Sequence, residues 1–81
     1  MRLRFTQHAL DMLEERRIEP DWVARTLERP ERLADDPRGP PLRRAFGAVP
    51  EAGGRILRVV FRMEDDLILV VTAHFDRGAR P

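Results

Sequence analysis

The chain carries two histidines, His8 and His74, and fifteen arginines, with no lysine and no cysteine. A neutral imidazole beside guanidinium groups is a set that can cleave RNA without a metal. The imidazole takes the proton of a 2′-hydroxyl, and the cations offset the charge that builds on the phosphate. His8 lies at the start of a helical pattern, where the positive end of the helix dipole disfavours imidazolium. His74 lies in the last strand pattern, near Arg58 on the strand before it, and is followed by Asp76 and Arg77. Both also have plainer readings: His8 as a histidine bonded locally beside a helix cap, and His74 as an exposed strand-end residue. The carboxylates of Asp35, Asp36 and the Glu64–Asp65–Asp66 tip have no histidine at metal-ligand spacing, so no metal is expected. Ala52–Gly53–Gly54 lacks the lysine and following helix of a phosphate loop and reads as a turn.

The elements that must position these groups follow from periodicity. Arg2–Phe5 alternates as a short strand does. Thr6 offers an N-cap hydroxyl, and Ala9, Leu10 and Leu13 form the inner stripe of a first helix that closes on Arg16 and Arg17. Pro20 and Asp21 open a second helix with Trp22, Val23, Thr26 and Leu27 inward, ended by Pro30. Ala34–Pro41 reads as a loop. Three strands are expected over Leu42–Val49, Arg55–Met63 and Leu67–Phe75, joined by hairpins. The expected fold is a single α+β domain over residues 1–81, β-α-α-β-β-β, with both helices on one face of a mainly antiparallel four-stranded sheet.

Parity assigns the faces. Leu57, Val59, Phe61 and Met63 share one side of their strand; Leu67, Leu69, Val71, Ala73 and Phe75 share one side of the next. With Glu64–Asp66 as a three-residue loop, both sets lie under the helices and Arg58 stands opposite Thr72, diagonal to His74. The outer face then holds Arg58, Arg62, Thr72, His74 and one of Arg43 or Arg44, with Ile56, Val60, Ile68 and Val70 between them. That mixture of cations and wet apolar side chains predicts contact with a partner, either a second copy of the chain or a segment added along an edge strand.

The composition, 42% hydrophobic and 36% charged over 81 residues, suits one small folded domain. The formal charge of +1 is near balance although the sequence pI is about 9.0, so charge alone does not single out nucleic acid. The longest apolar run is too short to span a bilayer, and Met1–Phe5 lacks the apolar core of a signal peptide. A cytoplasmic protein without membrane contact or cofactor is expected.

Thr6, His8, Ala9, Leu13, Arg16 and Ile18, then Leu27 and Pro30, then Leu57, Val59, Val60, Val70, Val71 and Thr72, follow in an order and spacing that resembles the bacterial domain of unknown function 4258 family. That family is similar in element order to BrnT and to the RelE/ParE toxins of toxin–antitoxin pairs. The resemblance implies a ribonuclease, free or ribosome-dependent, or a gyrase poison, with an antitoxin encoded beside it. It implies functional residues at the last strand and its end. The residues expected to act are therefore His74, Arg58, His8 and Arg16 in catalysis, and Arg43, Arg44, Arg62 and Arg77 in contact with RNA. Two positions depart from the family pattern. Met12 stands where an arginine would share a helix face with His8, and Arg17 stands where a glycine precedes Ile18. The alternative to an enzyme is a protein-binding module of the same fold.

Overall fold

The computed structural model describes residues 2–78. In chain order these form β1 (Arg2–Phe5), α1 (Gln7–Arg16), α2 (Pro20–Glu28), β2 (Arg32–Asp35), β3 (Arg43–Val49), a 3-10 turn (Pro50–Ala52), β4 (Arg55–Glu64) and β5 (Leu67–Phe75). The sheet has five strands in the order β1-β5-β4-β3-β2. β1 runs parallel to β5 and all other pairs are antiparallel. The architecture is α+β with a mixed sheet, one strand larger than the four expected. The additional strand is β2, which pairs from Arg32 opposite Phe46 to Asp35 opposite Arg43. Its four residues are mostly exposed at the sheet edge, so they carry no apolar alternation by which the sequence could mark them.

Thr6 caps α1 as its position predicts: its hydroxyl oxygen accepts the Ala9 N–H at 3.0 Å. The helix ends in a left-handed residue, Arg17 (φ 56°, ψ 46°), after which the Ile18 N–H reaches back to the Leu13 carbonyl at 2.9 Å. This is the turn for which a glycine is suited. α2 begins with Pro20 at its first turn and Asp21 beside it. It lies close on β3, where a Cβ added to Gly47 would stand 3.3 Å from the Thr26 hydroxyl oxygen. Ala9, Leu13, Ile18 and Val23 from the helical layer are buried with Val49, Leu57, Val59, Val70 and Ala73, and Phe5, Trp22, Leu27 and Phe75 pack partly buried against them. Leu10, expected in this core, is 43% exposed, because Ala9 and Leu13, four apart, take the sheet-facing line of α1.

The face assignment holds along β4 and at the end of β5, and reverses for the first half of β5. Leu57 pairs with Phe75 and Val59 with Ala73, as parity requires, but the register then slips, so that Val60 faces Thr72 while Phe61 faces Val70. Val71 is the extra residue, and such a bulge switches the side to which later residues point. The connection is also a two-residue turn, with Glu64 opposite Leu67, rather than three residues. Val70 is consequently in the helix-facing core, and Ile68, opposite Met63, lies on that side too. Leu69 and Val71 do not. Arg58 faces His74 directly, not Thr72.

Two stability measurements follow. Leu57→Ala empties a fully buried site and is expected to lower unfolding free energy by about 2–5 kcal/mol, whereas Leu69→Ala, outside the helix-facing core, has a clearly smaller effect; urea denaturation reads both. Arg17→Gly removes the steric penalty of a left-handed side-chain residue and is expected to raise stability by about 1 kcal/mol; a lower urea midpoint would contradict that account of the turn.

Candidate functional site

Among the described residues the outer face of the sheet, away from the helices, has no second layer of secondary structure, yet Phe46, Ile56 and Val60 on it are buried. Arginine side chains lie over them. Arg58 is the cross-strand neighbour of Phe46, and Arg44 of Val60; the Arg32 guanidinium covers the Phe46 ring with its Cζ 3.9 Å from the centroid. Of the apolar strip expected between the cations, Ile56 and Val60 are covered and Ile68 and Val70 point the other way, while Leu69, opposite Arg62, stands half-buried on this face. Long aliphatic stems with charged ends serve as the cover.

At the centre of this layer Arg58 makes two contacts. Its Nη2 donates to His74 Nε2, and its Nη1 donates to Asp76 Oδ2 at 3.1 Å. With Nε2 accepting, the imidazole is neutral and its proton is on Nδ1. Burial first, then the neighbouring Arg58 and Arg16 cations, push the His74 pKa below the ordinary histidine value, against a smaller opposing pull from Asp76. Burial also lowers the Arg58 pKa, though a guanidinium remains charged at neutral pH. Arg58 Nε is buried without a hydrogen-bond partner. Half-buried strands supply these groups: β4 holds Arg58, and β5 holds His74 directly opposite.

Beside this pair, Asp36 has a fully buried side chain that accepts from Arg38 Nε at 2.9 Å and Arg44 Nε at 3.0 Å. The Arg38 hydrogen bond, more than the desolvation that opposes it, holds the Asp36 carboxyl well below the usual carboxylate range. The Arg38 N–H also bonds Asp36 Oδ1 at 2.8 Å, which folds the Asp36–Pro37–Arg38 segment into an Asx turn. Asp36 therefore anchors the loop to Arg44, where the sequence suggested only an acidic loop.

Past His74, at the end of β5, a cleft of about 460 Å³ is lined by Arg16, Arg55, His74, Phe75 and Arg77. Arg16, at the C-terminus of α1, donates to the Ala73 carbonyl at 3.0 Å. Arg55 lies with its Cζ 3.9 Å from the Phe75 ring centroid.

The structure thus brings together His74, Arg58, Arg16, Arg44 and Arg77 from the expected set. Arg62 is on the same sheet face but is ion-paired with Glu64 at 2.6 Å. Arg43 is not on it: opposite Phe61 on the helix side of the sheet, it faces Asp35 at 3.4 Å. His8 is exposed in the first turn of α1, at the other end of the helix from Arg16. Residues the sequence reading did not assign are Arg38, Asp36, Arg55 and Phe75. The Asp-Pro-Arg-Gly turn signal pointed toward the first two; Arg55 and Phe75 meet only through the register of β4 and β5. Among the described residues no three His, Asp or Glu side chains come together in a way that could hold a metal ion, and no helix is long and apolar enough to cross a membrane.

Comparison with curated proteins and with solved structures gives no match. The family model of a domain of unknown function (DUF4258) matches residues 5–75, from the end of β1 to the end of β5, and the chain belongs to that family.

Proposed function

We propose that the domain binds RNA on the arginine-covered face of its sheet and cleaves it with His74 as base and Arg58 as phosphate partner, acting as the toxin of a toxin–antitoxin pair in the manner of the BrnT and RelE/ParE toxins. The observation that carries this reading is the contact of the Arg58 guanidinium with His74 Nε2 on an open sheet face, where burial and neighbouring cations lower the histidine pKa. In the free protein Arg58 occupies the Nε2 lone pair. A phosphate oxygen competes for the same guanidinium, because a charged acceptor binds it more strongly than an imidazole nitrogen does. Once Arg58 turns to the phosphate, Nε2 is free to take the 2′-hydroxyl proton. The 2′-oxygen bonds to phosphorus, the bond to the 5′-oxygen breaks, and that oxygen takes a proton from water, whose hydroxide takes back the proton held by His74. The products are a 2′,3′-cyclic phosphate and a 5′-hydroxyl. Arg58 and Arg44 offset the charge on the phosphorane.

A protein-binding role has its own support. β2 is the edge of the sheet, and Leu33 on it is 46% exposed. An added strand could pair along that edge, either from an antitoxin or from a second copy of the domain. Co-purification with the product of an adjacent reading frame supports this role; failure of the two to associate removes the antitoxin.

Cleavage of RNA, free and on ribosomes, is the direct assay. His74→Ala is expected to lower the rate by about 10²–10⁴-fold with RNA affinity largely kept. Arg58→Gln should impair both rate and affinity, and His8→Ala should leave both intact. The rate should rise with pH through the depressed His74 value and level off above it. Full activity of His74→Ala removes it as the base, and an unaltered protein that neither cleaves RNA nor arrests growth leaves the binding role alone.

The same histidine makes a stability prediction. Its folded pKa lies below the unfolded value of about 6.5, so the unfolded chain takes the proton first. Stability should therefore fall as pH drops below about 6.5 and stop falling on this account beneath the folded value. His74→Gln should lack that decline in urea midpoints measured across the range.

A further inference from the structure

The cleft at the end of β5 has two kinds of lining. Arg16 and Arg77 bring cations from the end of α1 and from the residues after β5, while Arg55 and Phe75 bring a layered planar surface. Arg55 is not a loose surface side chain. Its guanidinium covers the Phe75 ring, and its Nε donates to the Ala52 carbonyl at 3.2 Å, so the plane is fixed by a ring on one side and a hydrogen bond at its root. Phe75 is backed in turn by Trp22, with ring centroids 6.4 Å apart. A held guanidinium plane is a stacking platform for a nucleobase, and neighbouring arginines are what a phosphate needs. The cleft volume, about 460 Å³, is within the range of about 300–1,000 Å³ typical of small-molecule sites. His74 is part of its wall, and through that residue the cleft borders the outer face on which Arg58 lies.

We propose that this cleft is a nucleotide subsite, taking the residue next to the cleaved bond with its phosphate at Arg16 and Arg77 and its base stacked on the Arg55 guanidinium. The assignment rests on the RNA reading for its biological ligand, but binding can be measured with no cleavage at all. The probe is 3′-AMP, with inorganic phosphate as the control that lacks a base. Calorimetry at low salt gives affinities, and the emission of Trp22, the one tryptophan of the chain, reports whether binding occurs at the Phe75 end.

The expected result is that 3′-AMP binds roughly tenfold or more tightly than phosphate, the increment base stacking supplies. Arg55→Ala should lose that increment. Arg55→Lys keeps the charge without the plane and should lose it as well, which separates stacking from a change in folding or field. Arg16→Gln combined with Arg77→Gln should weaken both ligands. Equal affinity for 3′-AMP and phosphate overturns the stacking platform, as does an Arg55→Lys protein that binds 3′-AMP normally. A protein that binds neither ligand overturns the site. Arg55-dependent binding of 3′-AMP by a protein that cleaves no RNA upholds the subsite and defeats the cleavage reading, whereas RNA cleavage without 3′-AMP binding does the reverse.

Discussion

The bulge at Val71 is the constraint on which the rest of the molecule depends. It lets one strand serve the helical core at both ends while changing which residues do so, Val70 before it and Ala73 after it. A bulge leaves backbone groups outside the ladder, and those must find partners. Thr6 is among them: its N–H bonds the Val70 carbonyl at 3.0 Å and its hydroxyl donates to the Val71 carbonyl at 3.2 Å. The same hydroxyl oxygen caps α1 through the Ala9 N–H. One threonine thereby ties the end of β1, the start of α1 and the irregular point of β5 together. The position of α1 over the sheet, and hence of Arg16 beside Ala73, is set from this point.

The bulge also fixes the chemistry on the other face. A regular hairpin with a three-residue turn places Arg58 against Thr72. The two-residue turn and the extra residue in β5 together move the partner along by two, to His74. A guanidinium opposite a hydroxyl is an ordinary surface pair. Opposite an imidazole it selects a tautomer and keeps the ring neutral, because a donor on Nε2 has no place beside a protonated nitrogen. Burial adds to the same effect.

Much of this was readable in the residues. The two helices, the Thr6 cap, the Pro20 start and the course of β5 follow from strong local signals: periodicity, capping and turn chemistry. The cap and the core positions Leu13, Val23, Leu57 and Val59 were fixed by spacing alone. What could not be read is long-range. β2 is exposed, short and charged, and becomes a strand only because β3 offers it an edge. The Val71 bulge leaves no mark in a run of apolar residues such as Leu67–Val71, where either face reads as buried. Arg58 and His74 were placed near one another by strand order, but their direct contact depended on that unmarked residue. Arg43 and Arg44 could not be separated by parity without the pairing of β3; the register sends Arg44 to Val60 on the outer face and Arg43 to the other.

The outer face shows why its arginines are held rather than free. A sheet face with Phe46, Ile56 and Val60 on it requires cover, and no helix supplies it. The cover comes instead from side chains whose charged ends cannot be buried without cost. Several of these guanidinium groups are therefore moored, Arg44 and Arg38 to Asp36, Arg58 to Asp76 and His74, and Arg62 to Glu64, while Arg32 lies on the Phe46 ring. These moorings differ in strength. Asp36 is enclosed and bonded twice over, so Arg44 is fixed. Arg58 holds one carboxylate oxygen through Nη1 and a neutral nitrogen through Nη2, and its Nε is bonded to nothing. Arg62 Nε is likewise buried without a partner, but of the two it is Arg58 that holds the histidine. On the proposed reading, core cover and chemical readiness are one arrangement: the Arg58 stem stays on Phe46 while its head exchanges the imidazole for a phosphate oxygen.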